Sequence, residues 1–128
     1  MEKKVIAIDL DGTLLKNDET LTPFSASILS ALEKQGHVVL LTSGRPPRAI
    51  LPLWEQAELH SPIISYNGAL VFHPGDPSFP RFEAKFPLSK IQSLIQECRP
   101  HCFCMMSETS SCIYEEGNTK DLHKYFWR

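Results

Sequence analysis

Residues 5–15, with the sequence VIAIDLDGTLL, decide the fold of this chain. Four apolar residues come first, and two acids, Asp9 and Asp11, follow with a glycine directly after them. A short run of Val, Ile and Ala that ends in a polar turn is typical of a parallel strand buried on both faces. In open α/β sheets ligands bind at the carboxyl ends of such strands, so we expect the two acids at a binding edge.

The spacing of the two acids favours a reactive site. In an extended segment Asp9 and Asp11 leave the same side of the backbone, and two carboxylates so close repel unless a cation, backbone N–H groups or a proton neutralises one of them. The alternative is an Asx turn or a helix N-cap at the strand end. A turn requires one Asp, whereas this segment supplies Asp9, Asp11 and Thr13 together. We therefore favour the reactive site.

Composition limits the classes of protein to consider. The chain has 128 residues, 42% of them hydrophobic and 22% charged, with a formal net charge of −2. These values are typical of one globular domain, and they provide no concentrated basic face for nucleic acid. The apolar run before Asp9 is too short for a signal peptide or a membrane span. We predict a cytoplasmic protein without a membrane or nucleic-acid partner.

The four cysteines all lie in the last third of the chain, at Cys98, Cys102, Cys104 and Cys112. This distribution differs from the even spread of a disulfide-rich secreted domain, so we expect free thiols. A Cys-x-Cys pair without a second close pair or a paired His also lacks the usual ligand spacing of zinc sites. We therefore predict no zinc.

A β-α-β unit follows the first strand. Thr22 and Pro23 predict a helix start and Gly36 its end, and residues 37–41 predict a second buried strand parallel to the first. Thr42 and Ser43 then follow this strand, and either hydroxyl could reach a ligand held over Asp9. The alternative is that one of them only caps the next helix, and both roles are compatible because a helix N-terminus attracts anions.

The rest of the sequence predicts a hairpin and a second, smaller unit. Asn67-Gly68 between two apolar runs is a strong hairpin signal, and the Pro- and Gly-rich loop 73–80 is a candidate domain boundary. Beyond it we predict a strand at 81–86, a helix starting at 87–89, two antiparallel strands at 102–108 and 110–116, and a helix from 119. The predicted fold class is α/β.

Three segments resemble motifs of the haloacid dehalogenase (HAD) superfamily of phosphohydrolases. Residues 9–15 resemble its first motif, residues 40–46 its second, and residues 64–69 resemble the Asn-Gly-Ala segment of its Cof-like sugar-phosphatase branch. The resemblance implies a Rossmann-like HAD core with a parallel sheet, present in part at 1–72. It further implies a linker at 73–80 and the incomplete start of an α/β cap domain at 81–128.

The resemblance also implies a function, namely Mg²⁺-dependent hydrolysis of a phosphomonoester through an aspartyl-phosphate. The substrate would be a small phosphorylated metabolite such as a sugar phosphate. Asp9 would be the nucleophile and a metal ligand, and Asp11 the general acid and base, with its backbone carbonyl on the metal. The residues implied to contact the substrate or its phosphate are Gly12, Thr13, Ser43, Gly44, Arg45, Asn67 and Gly68.

The family's later lysine and acidic motifs follow the cap, and this chain stops inside the predicted cap. The alternative is therefore a truncated, weakly active or inactive HAD fragment that binds metal or phosphate only. We expect such a chain either to self-associate or to be only marginally stable, because its first strand would have an unpaired edge. A response-regulator-like phosphate acceptor would also place an acid at a strand end, but it does not require the Asp-Leu-Asp-Gly-Thr order.

Overall fold

The computed structural model describes residues 2–108 and 113–117. The chain forms two compact units, Met1–Ala84 and Lys85–Arg128. None of the helices in the described part has the length and apolar character that crossing a membrane would need.

The first unit is an α/β sheet with two helices. Its elements are β1 (Val5–Asp9), α1 (Pro23–Lys34), β2 (Val38–Thr42), α2 (Pro47–Gln56), β3 (Ile63–Ser65), β4 (Leu70–Phe72) and β5 (Phe82–Glu83). The strands lie in the order β1-β2-β3-β4-β5; β1, β2 and β3 are parallel, while β4 and β5 are antiparallel to their neighbours. The predicted α/β class and the β-α-β unit are confirmed.

Helix α1 begins and ends where the sequence predicts. The Thr22 hydroxyl accepts a hydrogen bond from the Ser25 amide at 3.0 Å, and Pro23 occupies the first helical position, where its missing N–H costs nothing. The helix is followed by Gly36 at a φ of 87°, a left-handed conformation that glycine adopts without strain. The helix therefore has a defined register against the sheet.

The core lies on one face of the sheet. Val39 and Leu41 alternate on the buried face of β2 and pack with Leu29 of α1 and Ile50 of α2. Both helices thus cover the same face, and burying each such side chain contributes roughly 1.5–3 kcal/mol. Leu10, directly after β1, is fully buried in this cluster and anchors the acidic segment to the core.

Strand β1 is not buried on both faces, so this part of our prediction is wrong. It pairs with β2 alone at the edge of the described sheet, and Val5 is 68% exposed. Its residues alternate between exposed and half-buried, because the helices cover only the face that carries Ile6 and Ile8. The predicted open edge is present.

In the described residues of the second unit there are one α-helix and two strands. They are α3 (Leu88–Cys98), β6 (Cys104–Glu108) and β7 (Ile113–Gly117), with β6 and β7 antiparallel and Ser107 opposite Tyr114. The predicted helix and antiparallel pair are confirmed. The thiols of Cys98, Cys102 and Cys104 are free. Cys112 and the helix predicted from 119 lie outside the described residues.

The boundary between the units falls later than the loop at 73–80. Val71 pairs with Phe82 and Leu70 with Glu83, so β5 extends the first sheet, and the division lies between Ala84 and Lys85. The strand predicted at 81–86 therefore does not open the second unit. That the second unit begins a cap domain stays a prediction.

Candidate active site

The two acids lie at the carboxyl end of β1 and in the turn that follows it. Asp9 is the last residue of β1, and residues 10–14 form one irregular turn closed by a hydrogen bond from the Leu15 amide to the Leu10 carbonyl at 2.9 Å. Within the turn Asp11 is extended and Gly12 has a φ of 74°. A methyl group on Gly12 would meet no atom within 4 Å, so the backbone conformation, not space, requires glycine there.

Asp9 has an exposed carboxylate with a single neutral partner. The Thr13 hydroxyl donates to Asp9 Oδ2 at 3.2 Å. Among the described residues no basic side chain pairs with Asp9. Its negative charge is therefore available to a cation or an electrophile.

Asp11, in contrast, is held by an arginine. Arg45 Nε donates to Asp11 Oδ2 at 2.9 Å and Arg45 Nη2 donates to Asp11 Oδ1 at 2.5 Å, a bidentate pair. The Ser43 hydroxyl lies 3.5 Å from Asp11 Oδ2. Hydrogen bonding from Arg45 holds the pKa of Asp11 below its ordinary value; partial burial opposes this, while the charge of Arg45 and the Ser43 hydroxyl add to the lowering. Arg45 thus favours the ionised form of the Asp11 carboxyl group.

The loop after β2 is tied to the end of β3. Ser43 is buried; its amide donates to the Ile64 carbonyl and its carbonyl accepts from the Asn67 amide, both at 3.0 Å. The buried Ser65 hydroxyl donates to the Arg45 carbonyl at 2.7 Å. These bonds fix the backbone from which the Ser43 and Arg45 side chains reach Asp11.

Of the two candidate hydroxyls, the structure brings Ser43 to the acids. The Ser43 Oγ accepts from the Arg45 amide at 3.1 Å as well as contacting Asp11. Thr42 lies opposite Asp9 in the parallel ladder. The alternative that one of them caps α2 is wrong, because the residue at the cap is Pro46, which makes no side-chain capping hydrogen bond.

Asn67 and Gly44 meet at the turn between β3 and β4. Asn67 and Gly68 have φ values of 54° and 93°, and Ser65 pairs with Leu70 across the turn, so the predicted hairpin is confirmed. A methyl group on Gly44 would lie 3.1 Å from Asn67 Oδ1 and 3.2 Å from its Nδ2. The absence of a side chain at Gly44 therefore lets the exposed Asn67 carboxamide approach the loop that carries Ser43 and Arg45.

Hydrogen bonds thus connect most of the predicted site residues, in two groups: Asp9 with Thr13, and Asp11 with Ser43 and Arg45. Sequence analysis missed two further participants, Glu19 and Ser65. Glu19 Oε2 lies 3.4 Å from Arg45 Nη2. An acid in a polar loop usually faces solvent, so nothing in the sequence pattern distinguished Glu19.

The donors present fit a magnesium ion in part. Mg²⁺ takes oxygen ligands and is usually bound by one or two carboxylates while keeping several waters. Asp9 supplies a carboxylate without a competing cation, and Asp11 lies two residues away. Within the described residues no group of three or more His, Cys, Asp or Glu is arranged to hold a metal. Any further ligands would therefore be water, backbone carbonyls or a phosphate oxygen.

The sheet is mainly parallel, with acids at the carboxyl end of one strand and a hydroxyl and an arginine after the next strand. Ligand-binding α/β folds have this arrangement. The chain belongs to the haloacid dehalogenase-like hydrolases, because residues 6–127 match that family.

The chain is similar to two named phosphatases and to solved structures. It is 41% identical over 97 residues to the 5-amino-6-(5-phospho-D-ribitylamino)uracil phosphatase of Bacillus subtilis, a match that covers 74% of this chain and 36% of that protein. It is 38% identical over 72 residues to the pyridoxal phosphate phosphatase of Escherichia coli, covering 56% and 26%. A crystal structure of a haloacid dehalogenase-like hydrolase from Bacteroides thetaiotaomicron superimposes with a TM-score of 0.83 at 26% identity, covering 96% of this chain and 47% of that one.

A structure of a HAD subclass IIB sugar phosphatase superimposes with a TM-score of 0.71 over 98% of this chain, and its 19% identity shows the fold alone. The chain spans about half the length of these solved structures and a smaller share of the two curated relatives.

Proposed function

We propose that this chain carries the catalytic acids of a Mg²⁺-dependent phosphomonoester hydrolase of the Cof-like branch. Its substrate is a small phosphorylated metabolite such as a sugar phosphate. The observation that carries the proposal is the contrast between the two acids: Asp9 is exposed and has no basic partner among the described residues, whereas Asp11 is paired with Arg45. The names of the two curated relatives, both phosphatases of small phosphorylated molecules, support the substrate class.

The charge of the substrate explains why a metal is required. A phosphomonoester carries two negative charges near neutral pH and is repelled by Asp9 and Asp11. Bound Mg²⁺ would neutralise part of the charge on the phosphoryl oxygens and lower the barrier to attack by an anion. Asp9 would hold the ion through its side chain and Asp11 through its backbone carbonyl.

The chain's own residues then carry the two half-reactions. A carboxylate oxygen of Asp9 attacks phosphorus, the ester P–O bond breaks, and the leaving alkoxide takes a proton from Asp11. Water then attacks phosphorus and gives a proton to Asp11, which releases inorganic phosphate and restores Asp9. Because Arg45 favours the ionised form of Asp11, this acid role requires two things when the substrate binds: Arg45 leaves Asp11, and Asp11 takes up one proton from water or from the phosphomonoester monoanion. That proton is the one that Asp11 gives to the leaving alkoxide, and the attacking water later replaces it.

The remaining residues of the site position the phosphoryl group. Ser43 donates its hydroxyl to a phosphoryl oxygen, and Thr13 orients Asp9 through the hydrogen bond already present. Gly12, Gly44 and Gly68 shape the backbone that approaches the substrate, and Asn67 contacts its leaving group. Arg45 has a guanidinium that matches a phosphate as well as it matches a carboxylate.

A second candidate function is binding without turnover. Among the described residues Arg45 pairs with Asp11, and no basic side chain pairs with Asp9. These charges offset the repulsion among Asp9, Asp11 and the substrate only in part. A chain of this kind would bind Mg²⁺ or phosphate but hydrolyse phosphomonoesters weakly or not at all.

The deciding experiment measures phosphate release from a panel of sugar phosphates and pyridoxal phosphate, with Mg²⁺ and with EDTA. We expect Mg²⁺-dependent release that Asp9→Asn abolishes, together with loss of beryllofluoride trapping. Asp76→Asn, in the loop 73–80 away from the candidate site residues, should behave as wild type. Trapping without turnover would favour the binding-only function. Turnover that survives Asp9→Asn would remove Asp9 as the nucleophile.

A further inference from the structure

Glu19 reaches the candidate active site, and it has no role in the two proposed half-reactions. Its Oε2 lies 3.4 Å from Arg45 Nη2, and the same Nη2 donates to Asp11 Oδ1 at 2.5 Å. The Arg45 side chain is only 21% exposed. Its guanidinium therefore lies between two carboxylates that come from separate loops, Asp11 from the turn after β1 and Glu19 from the loop 16–21.

The loop that carries Glu19 is closed by bonds that do not involve the Glu19 side chain. The Lys16 amide donates to the Thr20 carbonyl at 3.1 Å and the Glu19 amide to the Lys16 carbonyl at 2.9 Å. Asp18 accepts from the Thr20 amide at 3.1 Å. Glu19 itself has a φ of 62°, a conformation that residues with side chains seldom adopt. These bonds hold the loop in the backbone conformation from which the Glu19 side chain reaches Arg45.

The charges around Arg45 affect how a phosphate could bind at this arginine. Arg45 contacts both Asp11 and Glu19, so a phosphate dianion that approaches this arginine also meets two negative charges. While Arg45 forms its bidentate pair with Asp11, its Nε and Nη2 donors, which form a fork, are occupied. A guanidinium has five N–H donors in a rigid plane, and the fork that binds a carboxylate binds a phosphate equally well. Arg45 can therefore exchange one for the other.

We propose that Glu19 is a positioning residue that keeps Arg45 at the site while Arg45 exchanges Asp11 for the phosphoryl group of a phosphomonoester. This inference rests on the proposed function and adds to it a residue outside the three resembling segments. The exchange separates Arg45 from Asp11, and the contact with Glu19 prevents the freed guanidinium from moving into solvent. Glu19 does not touch the substrate in this account.

The direction in which Glu19→Gln changes the phosphate affinity distinguishes this positioning role from simple charge repulsion. If Glu19 only repelled anions, Glu19→Gln would tighten phosphate binding. If Glu19 positions Arg45, the same change weakens it, by roughly threefold, the effect expected for one exposed ion pair. The measurement is calorimetric titration of the protein with inorganic phosphate in the presence of Mg²⁺. Affinity that is unchanged or increased in Glu19→Gln overturns the proposal.

The matched control is Glu58→Gln. Glu58 also has a left-handed backbone, with a φ of 49°, and also pairs with one cation, Lys34 Nζ at 3.3 Å, but it does not contact Arg45. We expect wild-type phosphate affinity in this variant. In an Arg45→Lys background, where the fork is absent, Glu19→Gln should no longer weaken binding. A loss of the same size there would show that Glu19 acts without Arg45.

A second readout does not depend on phosphate binding. Asp11→Asn removes the charged partner that holds Arg45 most closely, so Glu19 should then keep the guanidinium ordered, and the ¹⁵N signals of Arg45 should remain resolved. Adding Glu19→Gln should average those signals. Equal spectra for Asp11→Asn with and without Glu19→Gln would overturn the positioning role. If the spectra differ but wild-type protein binds no phosphate, the proposed function and the exchange step fail, and only the contact between Glu19 and Arg45 stands.

Discussion

Gly44 and Asn67 approach so closely that a methyl group on Gly44 would lie 3.1 Å from the Asn67 side-chain oxygen. Gly44 follows β2 and Asn67 follows β3, so the contact joins the second and third segments that resemble family motifs. The two strands are parallel neighbours, which brings their carboxyl ends to one edge of the sheet. At Gly44 the neighbouring Asn67 side chain limits the space for a larger residue, whereas at Gly12 the positive φ favours glycine.

The first prediction concerns Gly44→Ala. The added methyl group should displace the Asn67 carboxamide by a few tenths of an ångström, which its exposed side chain can accommodate. Reduced backbone freedom in the unfolded chain contributes about 0.4–1 kcal/mol in the opposite direction, so we expect the free energy of unfolding to change by less than about 1 kcal/mol. The NMR signals of the Asn67 side-chain amide should nevertheless shift. Unfolding at much lower denaturant concentration would show that the loop cannot adjust.

The second prediction concerns Gly12→Ala, for which the expected cause and size differ. No atom obstructs the new methyl group, but a φ of 74° is unfavourable for alanine by about 1–2 kcal/mol. We expect the free energy of unfolding, measured with urea, to fall by that amount. Because Asp11 precedes Gly12 in the same turn, its contact with Arg45 should loosen as well. Gly75→Ala is the control, since Gly75 does not have a positive φ. Equal losses in both variants would contradict the conformational explanation.

The third prediction concerns acid pH and the loop that carries Glu19. Hydrogen bonds from the Thr20 hydroxyl and from Lys16 lower the pKa of Asp18 from 3.8 to about 2. Because the folded pKa is the lower one, the stabilisation is complete above pH 3.8 and is lost as the pH falls towards about 2. The measurement is a ¹³C NMR titration of the Asp18 carboxyl group.

Thr20→Val should raise that pKa towards 3.8, since it removes the strongest interaction with Asp18. Ser78→Ala is the matched control, because the Ser78 hydroxyl and amide lower the pKa of Asp76 in the same way on a different loop. It should raise the pKa of Asp76 and leave Asp18 unchanged. An Asp18 that titrates near 3.8 in the wild-type protein would mean that these hydrogen bonds do not persist in solution.

Local sequence signals predicted much of the fold and some of the site. The cap at Thr22, the hairpin at Asn67-Gly68 and the strand before Asp9 depend on interactions within a few residues, and all three are present. Pairings between distant segments were harder to predict. The two-residue β5 carries too little pattern to show which sheet it joins, and the ion pair between Glu19 and Arg45 depends on how two loops meet.

The burial of β1 was also hard to predict from local sequence, because it depends on contacts with distant segments. Its Val, Ile and Ala residues predict a strand covered on both faces, but cover is supplied by other elements and cannot be inferred from the strand alone. In the described structure α1 and α2 pack on one face, and β2 is the single neighbour of β1. The composition of β1 therefore indicates a burial that the described residues do not provide.

The fourth prediction follows from that exposure, and it concerns self-association. An unpaired strand edge presents free N–H and C=O groups, and β1 combines such an edge with the exposed side chains of Val5 and Ala7. We expect the 128-residue chain to associate with a second copy through this strand, with a mass by light scattering that rises with protein concentration. Ala7→Lys should shift the population towards monomer, because a charge on an edge strand opposes edge-to-edge pairing. Gln92→Lys on the exposed surface of α3 adds the same charge elsewhere and should leave association unchanged. A wild-type chain that stays monomeric and resists urea as well as an ordinary domain would show that the edge of β1 is tolerated without a partner.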